Sequence, residues 1–421
     1  MLTKRLALSI GGLALTGALL LAGCGGTSAN SGPVTITYWY TEGPNEAPAI
    51  KDLISKFETQ NPNIKVNAQY VDFGSAHDKF VTAAQAGTAP DVLRSDVGWN
   101  TEFAADGYLY DITSMESASD KAQYLAAPLA YATYHGKLYG LPQVTDFLVL
   151  YYNKSMLQSA GISNAPATWD DFQADCQKLQ GASKTCWSFE GSSYFAQQFI
   201  FSYGGGLIDD TTNPPTVLIN NAGSVKGLSE LKTLLAYAPK VDFTNGYTNT
   251  VGGFKTGQYA MMMNGPWEYT NILSGSAFSN ASNLGIAAIP IDPATGNVPR
   301  SPAGGQNYVM YKATQHPAEA FKFMSFMSSA SSQAYIAAKN STLPTRKDAY
   351  TEPSVQSNAA VQSFAALLSS QKARPVIKQG GAIYAPQSGF DPNLQKFING
   401  QQDAQTTADN IAKGFQSLLA S

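Results

Sequence analysis

The succession of hydrophobic periods between residues 34 and 93 constrains this chain more than any single residue does. Val34, Ile36, Tyr38 and Tyr40 alternate with Thr35, Thr37 and Trp39, the period of two expected of a strand. Ile50, Leu53, Ile54 and Phe57 then share one face at the 3.6-residue period, which predicts a helix from Glu46 to Gln60, ended by Asn61-Pro62. Ile64, Val66, Ala68 and Tyr70 alternate again. A second helix is expected from about Ser75 to Ala86, stopped by Gly87, and Pro90-Asp91-Val92-Leu93 makes a short strand. Strand, helix, strand in this order predicts an α/β class with a mostly parallel sheet.

At 421 residues the chain is too long for one compact core, so two domains, or two lobes sharing crossings, are expected. Thr168 with Asp171 three residues on reads as a helix start. Further helices are expected over Ser193 to Tyr203 and Ser224 to Tyr237, and strands over Tyr259 to Met263 and Gly285 to Pro290. The last quarter reads as nearly all helix, closing on the amphipathic face of Ala408, Ile411, Phe415 and Leu418. Between these parts, Phe147 to Tyr152 is a near-continuous apolar run of strand length that opens on an acid, Asp146. Burying an unpaired carboxylate is costly, so Asp146 must be paired, protonated or turned toward a wet cleft.

The N-terminus carries an address. Lys4-Arg5 precedes an apolar run from Leu6 to Leu21, shorter than the ~20 residues a spanning helix needs. Leu21-Ala22-Gly23-Cys24 resembles a bacterial lipobox, which implies a signal peptide over 1–23, lipidation of Cys24 and a flexible tether over 24–33. The protein is therefore expected outside the cytoplasm, held to the cell membrane by lipid alone. In that oxidising setting the remaining pair, Cys176 and Cys186, reads as a disulfide, with two buried thiols as the alternative. The histidines His77, His135 and His316 are scattered and no CxxC occurs, so no metal site is expected. Without residues 1–23 the chain holds 25 bases against 30 acids and no basic stripe, which excludes a general nucleic-acid binder.

Five segments, in order, carry a family resemblance: Tyr38-Trp39 with Gly43-Pro44-Asn45-Glu46; Gly87-Thr88-Ala89-Pro90-Asp91-Val92 running to Trp99 and Gly107-Tyr108-Leu109; Gly140-Leu141-Pro142 to Tyr152-Asn153-Lys154; Asn264-Gly265-Pro266-Trp267; and Ala373-Arg374-Pro375. On them the chain resembles a family 1 extracellular solute-binding protein, the sugar receptor of a bacterial ABC importer. The resemblance implies a two-lobed, type II periplasmic-binding-protein-like fold with ligand in the interlobe cleft and a helical C-terminal part. One lobe would comprise residues 34–144 and about 302–345, the other about 145–301 and 346–421. It also implies hinge closure on an α-linked di- or oligosaccharide, trehalose or maltose/maltodextrin-like. The partners would be permease subunits and a separate ATPase, with the receptor a monomer that needs no cofactor.

The resemblance places Glu46, Asp146 and Trp267 at the sugar, and Tyr194 and Arg374 in the cleft. Asp96 and Trp99 leave a strand end where α/β folds put ligands, an acceptor beside a stacking face. Glu268 follows the Gly-Pro turn, and Gly305 offers close backbone approach. Each has a plainer reading: Glu46 as an acid at a helix start, Asp96 as a cap, Trp99 and Trp267 as core. Paired carboxylates would also suit a secreted glycosidase, although no GxSxG and no histidine triad is present. A receptor for a non-sugar solute is the third reading.

Overall fold

The computed structural model describes residues 32–296 and 299–420. The expected signal peptide, Cys24 and the tether up to residue 31 lie outside the described residues. Ten strands build the two larger sheets: β1 (Val34–Tyr40), β2 (Ile64–Tyr70), β3 (Val92–Asp96), β4 (Gly140–Asp146), β5 (Val149–Asn153), β6 (Thr185–Trp187), β7 (Tyr259–Asn264), β8 (Leu284–Ala287), β9 (Gly304–Met310) and β10 (Leu343–Pro344). The six-stranded sheet runs β10-β4-β9-β3-β1-β2, and the four-stranded sheet runs β8-β5-β7-β6.

The periodicity at the start of the chain is realised closely. Helix Ala47–Gln60 connects β1 to β2, and helix Phe73–Gln85 connects β2 to β3; β1 is parallel to both β2 and β3. The expectation of a mostly parallel sheet fails beyond these strands. Strand β9 is antiparallel to β3 and β4, and β10 is antiparallel to β4. The reason is connectivity: β9 arrives from β8 of the other sheet, not through a crossover helix of its own sheet, so no right-handed crossover fixes its direction.

Each sheet is covered on both faces. Ile36, Tyr38, Ile50, Leu53, Phe57, Phe323 and Met324 fill one side of the larger sheet, and Phe80, Leu93, Phe103 and Val309 the other. Under the smaller sheet, Trp169, Phe172, Trp187, Phe199 and Leu228 pack with Phe390 and Phe415 from the C-terminal helices Phe390–Ile398 and Ala404–Leu419. Thr168 closes a full capping box: its Oγ1 accepts from Asp171 N–H at 3.0 Å, and Asp171 Oδ2 accepts from Thr168 N–H at 3.1 Å. Cys176 and Cys186 are bonded, with Cα atoms 5.0 Å apart. The last quarter is less helical than its composition suggests, because residues 371–388 form an extended piece and two short 3-10 turns.

The run Phe147 to Tyr152 is not one strand. Strand β4 ends on Asp146 in the larger sheet, and β5 begins at Val149 in the smaller one. Phe147 and Leu148, both fully buried, enter different cores, which is why the run looks continuous in sequence and yet changes sheet. Leu148 N–H donates to Ser301 Oγ at 2.6 Å, and Gln371 Nε2 donates to the Asp146 carbonyl at 3.1 Å. Ser301–Pro302 pairs in turn with Gln371–Lys372. Three chain segments therefore meet where the two sheets approach.

Candidate functional site

The site grows from three strand ends of the larger sheet. Strand β3 ends on Asp96, β4 ends on Asp146, and β9 begins opposite it, Gly304 facing Asp146 in register. Strand ends of α/β sheets leave side chains and backbone groups free to meet a ligand.

Asp96 is held from two sides. Its Oδ1 accepts from Gly98 N–H at 2.7 Å and lies 2.7 Å from Arg374 Nη2. A Cβ at Gly98 would overlap the Arg374 guanidinium, so glycine there lets the pair form. Arg374 N–H donates to Tyr131 Oη at 2.8 Å, and the guanidinium lies 4.7 Å over the Tyr384 ring. Burial alone would lower the Arg374 pKa; Asp96 beside it reverses this and raises it.

Asp146 has no such support. It is 8% exposed, and among the described residues its carboxylate makes no hydrogen bond or ion pair. A Cβ on Gly304 would fall on its Oδ1, and the same point is 3.0 Å from Tyr194 Oη, so carboxylate and phenol converge over a glycine. Burial pushes Asp146 up to about 7; Asp96 pushes the same way, while Arg94 and Arg374 pull it back. Burial, then Asp146, raises the Tyr194 phenol. Gly305, at φ +135°, is required by the Val144 carbonyl, which any Cβ would strike.

Glu46 sits at the helix N-cap position without capping the helix through its side chain. Burial lifts it to about 7; Arg94 opposes the rise, and Glu42 and Glu268 add to it. Arg94 was not among the residues singled out from sequence. It is 5% exposed, pairs with Glu42 at 2.9 Å, and donates to Gln143 at 2.7 Å, Thr41 at 2.9 Å and Gln306 at 2.8 Å. A cation inside Val92-Leu93-Arg94-Ser95-Asp96 was the available signal, since a buried arginine demands a buried partner.

From the other sheet, β7 leads into Gly265-Pro266 and presents Trp267 and buried Glu268. Trp267 Nε1 donates to Tyr247 Oη at 2.8 Å, and Tyr247 Oη donates to Glu268 Oε1 at 2.6 Å; Asn271 Nδ2 binds Glu268 Oε2 at 2.7 Å. Tyr247 is a second residue that sequence reading missed. Trp99 is half-buried, stacked on Phe73 with centroids 5.2 Å apart at 28°, and edge-on to His77 at 5.6 Å. One of its faces is thus already occupied by protein.

The structure thus brings Asp146 and Tyr194 together over Gly304, leaves the Asp96–Arg374 pair near enough for its charges to act on Asp146, sets Glu46 within the field of Glu268, and packs Trp99 against Phe73 and His77. Such a cleft offers carboxylate acceptors, phenols and aromatic faces to a polyhydroxylated ring. Two carboxyls, one lifted toward neutrality, would also serve a glycosidase. Among the described residues no group of three or more metal-ligating side chains occurs, and no helix is long and apolar enough to cross a membrane.

Comparison with known proteins decides the class. The chain is 30% identical to the GacH receptor of Streptomyces glaucescens, solved unliganded and with acarbose; the match covers 92% of this chain and 99% of that one with a TM-score of 0.87. Maltose-bound MalE3 of T. maritima, 24% identical, superposes with a TM-score of 0.81 over 91% of this chain and all of that one, which shows the two-lobed type II binding-protein fold. A maltooligosaccharide ABC transporter solute-binding lipoprotein of Streptococcus pneumoniae is 25% identical over 95% of this chain and 94% of its own length. The galactooligosaccharide-binding protein of Bacillus subtilis is 22% identical over 94% and 93%. The family model for bacterial extracellular solute-binding proteins matches residues 43–334. The chain belongs to the bacterial extracellular solute-binding protein family and is a binding protein, not an enzyme.

Proposed function

We propose that this protein is the substrate-binding component of an ABC sugar importer, held outside the cytoplasm by a lipid on Cys24. It captures an α-linked di- or oligosaccharide, trehalose or maltose/maltodextrin-like, and presents it to a membrane permease driven by a separate ATPase. The observation that carries the reading is Asp146: a carboxylate more than nine-tenths buried, without a protein partner, converging with Tyr194 over Gly304. Sugar hydroxyls would supply the missing donors with charge-assisted bonds. Named relatives with oligosaccharide ligands support the ligand class.

The lobes assigned are residues 34–144 with about 302–345, and about 145–301 with 346–421. The partition of strands between two sheets supports this division. Ligand touching both sides favours the closed arrangement because only there are both sets of contacts available. Glu46, Asp96 and Gly305 would act from the first side, and Tyr194, Trp267, Glu268 and Arg374 from the second.

Calorimetric titration with trehalose, maltose and maltotriose tests the reading. Micromolar or tighter binding to at least one is expected, weakened tenfold or more in Asp146→Ala, which is about 1.4 kcal/mol per decade. Absence of binding across a broad sugar panel would sink it.

A further inference from the structure

Strands β4, β9, β3 and β1 are consecutive neighbours in the larger sheet, and one side chain serves all four. Arg94 stands on β3. Its guanidinium donates to Gln143 of β4 at 2.7 Å, to Gln306 of β9 at 2.8 Å, and to Thr41, just past the end of β1, at 2.9 Å. Glu42 Oε1 completes the set, 2.9 Å from Arg94 Nε, and accepts from Gln143 Nε2 at 2.9 Å. Each of these segments leads to a candidate ligand residue. Asp96 follows Arg94 on β3, Asp146 follows Gln143 on β4, and Gly304 and Gly305 come just before Gln306. Thr41-Glu42 runs into the turn at Gly43, whose carbonyl accepts from Glu46 N–H at 3.0 Å.

A break in the register of the sheet points to the same centre. Gln306 pairs with Val144 and Asn307 with Pro142, so Gln143 is an extra residue on β4 without a counterpart on β9. Bulges of this kind re-aim a side chain. That of Gln143 is buried and spends its amide on Arg94 and Glu42. Stability does not account for the group, because a buried ion pair can often be replaced by apolar side chains of similar volume without loss. Glu42 is itself buried, and among the described residues its Oε2 has no hydrogen-bond partner. What a rigid fork of five donors does supply is a common origin for several chain segments.

We propose that Arg94 is the positioning residue of the cleft: from beneath it, and without touching ligand, it fixes the strand ends that carry Glu46, Asp96, Asp146 and Gly304 relative to one another. This rests on the sugar-binding reading and deepens it. The charged and titratable groups around the guanidinium are Glu42 past β1, Glu46 at the helix N-cap position, Asp146 on β4, and the buried phenols of Tyr38 on β1 and Tyr308 on β9. Arg94 opposes the rise that burial imposes on Glu46 and on Asp146, so it also favours the ionised form that accepts from sugar hydroxyls.

Two variants of the full-length chain separate the fork from the charge. Arg94→Lys keeps the charge but cannot hold acceptors on three other segments at once. Glu42→Gln with Arg94→Gln removes the charge without stranding a buried carboxylate, which Arg94→Gln alone would do. Carboxyl-carbon NMR of the unliganded proteins follows Asp146 with pH, calorimetry at pH 8 reads affinity for trehalose, maltose and maltotriose, and urea unfolding reads stability. Arg94→Lys is expected to leave the Asp146 midpoint in place and to weaken sugar binding roughly tenfold or more. The double variant should weaken it by a similar factor and move the Asp146 midpoint to higher pH. A merely structural arginine would lower the urea midpoint while leaving the Asp146 titration unmoved. An unmoved Asp146 midpoint in the double variant overturns the proposal with or without a ligand, and so does full sugar affinity in Arg94→Lys. Failure of the unmodified protein to bind any sugar overturns the sugar reading alone, since the titration of Asp146 needs no ligand.

Discussion

Arg374 Nη2 lies 2.7 Å from Asp96 Oδ1, with the two side chains 6% and 10% exposed, so a late extended segment is tied by charge to the end of a strand laid down 278 residues earlier. Removing one member leaves the other buried and uncompensated, which costs about 3–5 kcal/mol. Arg374→Ala and Asp96→Asn are each expected to destabilise by that order. The double variant should lose clearly less than the sum. Urea denaturation of the four proteins measures the coupling.

The raised carboxyls predict a pH-dependent affinity. Asp146 and Glu46 both titrate at about 7 in the unliganded protein, and sugar hydroxyls that donate to them favour the ionised form. Affinity should therefore rise as pH climbs from 6 to 8, with protons released on binding. Titrations in buffers of different ionisation enthalpy read that release. Glu46→Gln with Asp146→Asn should abolish most of the slope.

The same shift runs the other way for stability. A carboxyl at about 7 in the folded state and about 4 unfolded keeps its proton longer in the folded chain, so its contribution is full below about 4 and is lost as pH rises to 7. Asp146→Asn is expected to stabilise the unliganded protein at pH 8 by on the order of 3 kcal/mol while weakening sugar binding. A denaturant midpoint at pH 8 that fails to increase would contradict this account of Asp146.

Gly304→Ala should act on the site more than on the fold. The new methyl would fall on Asp146 Oδ1 and crowd Tyr194 Oη, forcing the carboxylate off the cleft floor. A tenfold or larger loss of affinity is expected, with secondary structure unchanged by circular dichroism.

The Cys176–Cys186 bond closes a short loop with both sulfurs in the core. In the chain-entropy view it contributes roughly 2–3 kcal/mol. The double alanine variant should lose about that much in urea and keep its affinity for sugar, since Cys176 and Cys186 pack under Trp187 and Phe172, not at the cleft.

Most of the elements could be read from periodicity because each contributes one apolar face to one core. The helix of Phe172, Cys176 and Leu179 and the strands around Tyr38 and Ile64 are of this kind. Phe147 and Leu148 defeated the same reading: apolar residues in sequence do not say that one serves one core and its neighbour another. Asp146 was legible as an anomaly, and Glu46, Arg374 and Trp267 through the family resemblance. Arg94 and Tyr247 were not, because their partners are brought together only by folding: Glu42 and Gln306 for the first, Trp267 and Glu268 for the second. Phe73 precedes the helix expected from about Ser75, and nothing in the sequence marks it as the exposed ring it is in the fold.

Only Phe147 and Leu148 separate a strand of one sheet from a strand of the other, and each is gripped by a different core. Two residues span about 7 Å at full extension. On the proposed two-lobe division, a linkage so short and so firmly seated at both ends would permit torsion and forbid travel: the halves could swing about it without sliding apart or exchanging registers. Opening the cleft should therefore spend backbone rotation at a few bonds and leave both cores dry, so that a receptor cycling between empty and loaded forms does so without partial unfolding.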